Sequence, residues 1–249
     1  MRNSTKIIGI IGVSMLILVV LFALFGPMIS PYDAYKQVGD SFLAPNKSHW
    51  LGTNDMGQDI LSELAVGART SLFIGVVAAI LATTIGGIMG VLAGYIGGRF
   101  EMIVMRVIDV VMTLPFLPLM IVVAVYIGPG VMTQIFVITL VMWAGKARQI
   151  RAQTLSIKSA GPVLAAKTMG ASDFYIFYKH ITPGVFPIFI PQFVGAVNGA
   201  ILMESSLSFL GLGDPTMKSW GSILYYANNR SGFLTDAWMW WIIPPGICI

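Results

Sequence analysis

The residues best placed to do chemistry in this sequence lie in one polar segment, Pro162–Pro183, which reads PVLAAKTMGASDFYIFYKHITP. It carries Lys167, Asp173, Lys179 and His180, and it lies between two strongly apolar segments. The chemistry that these side chains suggest is binding. A polar, basic loop of this length between membrane spans favours a docking surface over a simple connector.

The first half of this segment has the pattern of a short helix. Pro162 suits a first helical position, and Gly170 comes where a helix ends or meets another backbone closely. Ala166 and Gly170 are four residues apart, so a helix would place them on one face that is nearly bare of side chains. Another protein could approach such a face closely. The alternative is an ordinary loop helix packed on its own spans, and the residues alone leave both open.

Enzymatic chemistry has little support in the sequence. Ser, His and Asp residues occur, but no His-Glu-x-x-His or Gly-x-Ser-x-Gly pattern is present, and no Gly-x4-Gly-Lys-Ser/Thr loop that would cradle ATP. His49 and His180 fall in different loops, and Cys248 is the single cysteine. We therefore predict no catalytic residue, no metal site and no cofactor held by this chain, and we disfavour an intramembrane enzyme.

The composition indicates a helical membrane protein. Of the 249 residues, 56% are hydrophobic and 10% are charged, whereas soluble domains carry about 25% charged residues. The mean hydropathy is +0.82, and the apolar runs are too long for a β-barrel. The net charge of +4 does not indicate nucleic acid, because the basic residues lie in short segments beside the apolar runs.

The apolar runs predict about six transmembrane helices. The predicted spans are Ile7–Met28, Phe73–Ile96, Met102–Ile127, Val131–Gly145 with an extension through 146–150, Phe186–Glu204, and an interrupted run at Ala237–Ile249. We expect the first to be an uncleaved helix rather than a signal peptide. The last is shorter than the roughly 20 residues that a span needs. This suggests a truncated chain or an incomplete last helix.

Four features in or beside the spans predict local structure and packing. Glycines recur every four residues at Gly86, Gly90, Gly94 and Gly98, a stripe that lets helices approach closely. Arg106 and Asp109 are three apart, so we expect them to pair. Pro115 and Pro118 should kink the third span. Ahead of the second span, apolar residues in Leu51–Leu72 fall on one face, which predicts a short surface-lying helix.

The distribution of charge predicts the orientation. With the N-terminus inside, the inner segments carry ten of the fifteen basic residues. The positive-inside rule therefore places the 162–183 loop in the cytoplasm.

The 162–183 loop resembles the EAA loop of importer-type ABC transporter permeases, in which Glu-Ala-Ala is followed by three residues, Gly and a distant Pro. Ala165, Ala166, Gly170 and Pro183 match this pattern at its spacing. The sequences GASD and HITP are similar to the dipeptide, oligopeptide and nickel branch of the family. Two positions depart from it: Leu164 stands where Glu is usual, and Thr182 where Leu is usual.

Two further segments resemble the same family. Leu51–Leu72 is similar to its N-terminal LGTDxxGRD…GARxSL signature, with Asn54 in place of Asp and Gln58 in place of Arg. The residues SSLSFLGLG (205–213) and SWG (219–221) are similar to the segment that follows the family's fifth span. The resemblance covers the chain from about Leu51 onward.

The resemblance implies the transmembrane domain of a type I ABC importer in a prokaryotic cell membrane. Its organisation would be a first helix at 1–29, an extracytoplasmic loop with a short amphipathic helix at 30–70, and a permease core at 71–249 with a cytoplasmic coupling loop at 160–183. The residues expected to contact the ATPase are Leu164, Ala165, Ala166, Met169, Gly170, Ala171, Ser172, Asp173, His180 and Pro183.

The implied partners are two ATPase subunits that hold ATP and Mg²⁺, a second homologous permease and an extracytoplasmic substrate-binding protein. The substrate would be a dipeptide, an oligopeptide, nickel or an oligosaccharide, with di- or oligopeptides favoured. The alternative is a secondary transporter or a channel, which would need charges in mid-span for coupling ions.

Overall fold

A computed structural model describes residues 2–230 and 232–249, with side chains described from residue 9 onward. These residues are helical or irregular, apart from one bridge between Thr53 and Asp59. The helices are α1 (Arg2–Ile29), α2 (Ile60–Ile96), α3 (Gly98–Thr113), α4 (Phe116–Ile127), α5 (Val131–Lys158), α6 (Gly161–Thr168), α7 (Asp173–Ile176), α8 (Thr182–Leu207), α9 (Trp220–Asn229), α10 (Trp238–Trp241) and α11 (Ile243–Cys248). The π-helical turns Phe177–Ile181 and Ser208–Leu212 follow α7 and α8, and a 3₁₀ turn lies at Gly232–Leu234. The prediction of an all-helical membrane protein is confirmed.

Several helices have the length and composition of membrane spans. Among the described residues, Gly9–Ile29, Ile60–Ile96 and Asp173–Leu212 qualify, and a fourth qualifies if α3 and α4 form one bent span. The number of six spans and the inward N-terminus remain predictions.

The predicted short helix ahead of the second span is not separate from it. Helix α2 runs without interruption for 37 residues from Ile60 to Ile96, which corresponds to about 55 Å at 1.5 Å per residue. The reason is local, because this stretch contains no proline to break it. The helix ends where Gly97 adopts φ +75°. Since a bilayer core is about 30 Å thick, α2 projects well beyond it.

The predicted proline kink is confirmed. Helices α3 and α4 meet at an angle of 90°. Leu114 is extended at the break, as expected for a residue that precedes proline. Pro115 starts the second arm, and Pro118 lies in its first turn, where a missing N–H costs no helical hydrogen bond.

The chain divides into two compact units, of which the first comprises the segment up to Phe73, Pro129–Val131 and Glu204–Ile249. Trp220 and Trp241 are fully buried in it. Glu204, predicted to lie at the outer end of the fifth span, is also fully buried. Its carboxylate accepts hydrogen bonds from the hydroxyls of Ser71, at 2.9 Å, and Ser208, at 2.7 Å. These hydroxyls solvate a charge that would otherwise be costly to bury.

The irregular segment ahead of α2, in the first unit, is held by a buried polar network. Nδ1 of His49 lies 2.9 Å from Oδ1 of Asp59, and Oδ2 of Asp59 accepts hydrogen bonds from the backbone N–H and the hydroxyl of Ser62. The sequence alone named no partner for His49. The arrangement stabilises the fold of this segment, because each buried polar group finds a partner.

The second unit comprises Ile74–Gly128 and Met132–Met203. One of its buried clusters joins α3 to α5 and is formed by Ala93, Val104, Ile108, Ala144 and Ala147. The second cluster lies under the 162–183 loop and is formed by Ile150, Val163, Ile176, Ile181 and Val185. This second cluster supports the candidate site.

Candidate functional site

Helix α6 begins and ends where the sequence predicts. Pro162 lies in its first turn. At its end, the N–H of Gly170 donates to the carbonyl of Lys167 at 3.1 Å, and the N–H of Ala171 donates to that of Ala166 at 3.0 Å. This pair of bonds is a Schellman motif, which requires a left-handed residue. Gly170 supplies it, with φ +82°.

Gly170 therefore does not lie on a helical face with Ala166, as the spacing suggested. The helix stops at Thr168, and Gly170 turns the chain away from it. A Cβ atom at Gly170 would meet nothing within 4 Å. The left-handed conformation of the turn explains why glycine occupies this position, and the space beside Gly170 is open.

The second half of the loop returns the chain to the next long helix. The hydroxyl of Ser172 caps α7 by accepting a hydrogen bond from the N–H of Tyr175 at 3.3 Å. Asp173 lies in the first turn of α7. A negative charge there interacts favourably with the positive end of the helix dipole. The π-helical turn then leads directly into α8, and Pro183 is the second residue of that helix. The loop is thus a series of short helical turns that leads from α5 to α8.

The inner side of the loop is attached to α2 and α5. Its residues Val163, Ile176 and Ile181 are buried against Ile150 of α5. The hydroxyl of Tyr95 in α2 donates a 2.5 Å hydrogen bond to the carbonyl of Asp173. This packing and hydrogen bonding attach the loop firmly to α2 and α5.

The outer side of the loop presents large apolar side chains, which we call the loop surface. Its members are Leu164, Met169, Phe174, Tyr175 and Tyr178, each at least half exposed, with Met169 at 86%. Of these side chains, the rings of Phe174 and Tyr178 stack on each other, with centroids 6.2 Å apart. The other predicted contact residues divide by burial. Those exposed are Ala165, Gly170, Ser172, Asp173 and Pro183, and those half-buried are Ala166, Ala171 and His180.

The charge around the loop surface is mainly positive. A cavity of about 720 Å³ beside α6 is lined by Lys158 and Lys167 together with Asp173 and apolar residues. The ammonium of Lys158 donates to the carbonyl of Tyr95 at 2.6 Å and lies 5.7 Å from the centroid of the Tyr95 ring. With Leu164 in place of the usual Glu, the exposed face of α6 carries no acid.

Three glycines of the predicted stripe, Gly86, Gly90 and Gly94, lie in α2 and face α5, whereas Gly98 begins α3 and a Cβ atom there would meet nothing within 4 Å. A Cβ atom at Gly86 would lie 2.6 Å from the carbonyl oxygen of Trp143, and one at Gly90 would lie 2.5 Å from that of Ala147. At Gly94 it would lie 2.8 Å from Cβ of Thr154. These approaches leave no room for a side chain. Helix α5, which leads into the loop, is therefore in close backbone contact with α2.

The expected pair between Arg106 and Asp109 is wrong. Asp109 forms an ion pair with Arg148 of α5, and Glu101 forms another with Arg151 of the same helix. The α3–α5 cluster brings these side chains together across the two helices. The sequence analysis missed both pairs, because partners 39 and 50 positions apart leave no local signal.

Comparison with known proteins identifies the class. The family described as "Binding-protein-dependent transport system inner membrane component" matches residues 86–243. The family described as "N-terminal TM domain of oligopeptide transport permease C" matches residues 7–45. The first match covers more than half of the chain and includes the loop, α2 from its glycine stripe onward and α5.

Individual relatives agree with this class. The dipeptide transport system permease protein DppC of Bacillus subtilis (strain 168) is 38% identical over 250 residues, covering 100% of this chain and 77% of that protein. The oligopeptide transport system permease protein OppC of the same organism is 37% identical over 225 residues, covering 90% and 74%. The glutathione transport system permease protein GsiD of Pectobacterium atrosepticum is 33% identical over 219 residues, covering 86% and 72%.

The chain belongs to the inner membrane components of binding-protein-dependent transport systems. It has the fold of a type I ABC importer transmembrane domain. It is a multi-pass permease subunit of the cell membrane and not itself an enzyme. A permease of this class works with an ATPase, a substrate-binding protein and a second permease.

Proposed function

We propose that this chain carries di- or oligopeptides across the cell membrane and receives the energy of ATP through its 162–183 loop. Relatives whose names specify dipeptide, oligopeptide and glutathione transport support the substrate class. The observation that carries the coupling role is the loop surface. It combines exposed apolar side chains with a buried inner side attached to α2 and α5.

The proposed mechanism is alternating access. Two ATPase subunits, which hold ATP and Mg²⁺, would each contact the coupling loop of one permease. Closure of the ATPase dimer would draw the two loops together. Because the loop continues directly into α8 and is packed on α5, a displacement of α6 is transmitted to those helices. The path between the permeases would then open toward the binding protein, which delivers the peptide.

The 162–183 loop is proposed to contact the ATPase mainly by apolar packing. Leu164, Met169 and Phe174 would enter a groove of the ATPase. Exposed apolar area contributes about 25 cal/mol per Å² when it is buried, so a few such side chains supply a substantial part of an interface. The absence of an acid on the exposed face of α6 means that an ion pair through residue 164 is not available.

Co-purification tests the coupling role. Tagged permease is co-expressed with the other subunits encoded beside it, and the ATPase recovered with it is quantified. Met169 and Leu234 are both 86% exposed, but Leu234 is predicted to lie on the outer side. We expect Met169→Asp to reduce ATPase recovery by at least about tenfold, whereas Leu234→Asp leaves it unchanged.

Two outcomes would contradict the proposal. Equal ATPase recovery with Met169→Asp and wild type would remove the loop surface from the interface. Purification of the permease alone, with solute movement driven by an ion gradient and no ATP, would support the secondary transporter instead.

A further inference from the structure

A group of polar side chains lies near the middle of α5 and α8, away from the loop. Its members are Lys146 and Gln149 of α5 and Gln192 and Asn198 of α8. Gln149 and Asn198 are exposed, and Lys146 and Gln192 are half-buried. The amide of Gln192 donates a hydrogen bond to the side-chain carbonyl of Gln149. We call this group the polar patch.

Glycine makes room for the cation of the polar patch. The ammonium of Lys146 lies 3.9 Å from the position that a Cβ atom would occupy at Gly195 of α8. Gln192, Gly195 and Asn198 are spaced three apart, so they share one face of α8. Lys146 and Gln149 have the same spacing on α5. One face of α5 and one face of α8 therefore carry the polar groups. Between these groups the surface of α8 is bare at Gly195, which has no side chain.

The polar patch lies far from the ends of both helices, and Gly195 falls within the candidate span Asp173–Leu212. Lys146 is about 22 Å along α5 from Val131 and about 18 Å from Lys158. Gly195 is about 20 Å along α8 from Thr182. The ammonium lies beside Gly195, so it does not extend to the cytoplasmic end of either helix. Because lipid tails offer no partners to polar groups, these exposed side chains must face protein or a water-filled path.

The charge of Lys146 has no counterpart within the described residues. No acidic side chain there forms an ion pair with it, and the two acids of α3 are already paired with Arg148 and Arg151. A cation in a membrane segment is costly and indicates a functional group. The group that would neutralise the Lys146 ammonium is therefore an anion from outside the described residues.

We propose that the polar patch contacts the peptide during passage, and that Lys146 engages its carboxylate while the neighbouring side-chain amides bond its backbone. This inference rests on the proposed peptide transport. A carboxylate is the anion that peptides possess at their C-terminus, and a charge-assisted hydrogen bond to an ammonium is stronger than a neutral one. A single such contact is weak enough to be released, as transport requires.

Charge restoration at residue 146 tests the inference. The complete transporter, with Cys248→Ser in the permease, is reconstituted into vesicles with its binding protein, and ATP-driven uptake of trialanine is measured. We expect Lys146→Cys to lower uptake by about tenfold or more, the loss of a charged hydrogen bond. Modification with an aminoethyl thiosulfonate restores the positive charge and should restore uptake. A sulfonatoethyl thiosulfonate, which adds a negative charge, should not.

A matched cysteine separates this effect from the chemistry of the reagents. Lys36, in the irregular segment ahead of α2, has a side chain that is 76% exposed. Lys36→Cys in the same background should support wild-type uptake before and after either modification. ATPase recovery should be the same for Lys146→Cys as for its parent, since the loop is unchanged.

Five outcomes would overturn the inference. Normal uptake by Lys146→Cys would show that the cation is dispensable. Equal effects of the two reagents, or no reaction with either during turnover, would show that the patch is not a charged surface on a water-filled path. Loss of the second permease from the Lys146→Cys complex would assign Lys146 to the subunit interface. Absence of trialanine uptake by the parent transporter would instead refute the proposed peptide transport, and this inference with it.

Discussion

The hydroxyl of Tyr95, near the end of α2, donates a 2.5 Å hydrogen bond to the backbone carbonyl of Asp173 in the 162–183 loop. The same residue accepts a bond at its own carbonyl from Lys158, the last residue of α5. Tyr95 thus connects α2, α5 and the loop at one point. The loop is thus attached to two long helices by these hydrogen bonds as well as by apolar packing.

Removal of the Tyr95 hydroxyl should loosen the loop. A lost hydrogen bond of this kind costs about 0.5–1.5 kcal/mol, so we expect Tyr95→Phe to raise the rate of tryptic cleavage at Lys167 and Lys179 by about twofold to tenfold. Tyr126, which is 89% exposed, provides the control. Unchanged cleavage in Tyr95→Phe, or an equal rise in Tyr126→Phe, would refute this role.

Substitutions at Gly170 should separate charge from backbone conformation. We expect Gly170→Asp to abolish transport while leaving membrane insertion intact, because a charge is placed where the ATPase approaches. An Asn side chain has nearly the same shape as that of Asp but no charge, and both residues tolerate a left-handed backbone conformation. Gly170→Asn should therefore retain more transport than Gly170→Asp, whereas Gly170→Ala carries about 1–2 kcal/mol of backbone strain. Normal transport by Gly170→Asp would end the assignment of this contact.

The close approach of α2 and α5 should make Gly90 intolerant of any side chain. Its Cβ would lie 2.5 Å from a backbone oxygen of α5, which cannot rotate away. We expect Gly90→Ala to destabilise the protein by about 1–3 kcal/mol, measured as a lower thermal midpoint in detergent. The control is Gly145→Ala, whose added methyl group meets nothing within 4 Å. A similar midpoint for the two variants would contradict the packing.

The ion pair between Lys218 and Glu63 in the first unit should be costly to break. Their side chains are only 14% and 5% exposed. Loss of one partner from a buried pair costs about 3–5 kcal/mol because a charge is left uncompensated. We expect Lys218→Met to lower the thermal midpoint strongly. Lys36→Met should have almost no effect, since its pair with Asp33 is exposed.

The two departures from the family's N-terminal signature are in direct contact. Nδ2 of Asn54 donates to Oε1 of Gln58 at 2.9 Å, where the family has Asp and Arg. We expect Asn54→Asp and Gln58→Arg each to destabilise the protein, because each adds one charge to a buried site beside Glu63 and Lys218. The double variant should recover at least half of the loss in thermal midpoint. Additive losses would show that the two positions do not compensate each other.

The sequence by itself determined the features that depend on neighbouring residues. Hydropathy indicated the membrane helices, Pro115 indicated the bend between α3 and α4, and Gly170 indicated the end of α6. The order of three motifs was sufficient to identify the family. Each of these signals lies within a few residues of the structure that it specifies, because helix periodicity, proline and glycine act on local backbone conformation.

The tertiary structure alone decided which distant groups meet. Asp109 pairs with Arg148 rather than with Arg106 one turn away, because the packing of α3 on α5 sets which side chains face each other. Tyr95 and Asp173, 78 positions apart, meet for the same reason. The polar patch appears only when α5 and α8 lie side by side. Local spacing places a residue on one face of its own helix, whereas the partner of that face depends on how whole helices pack.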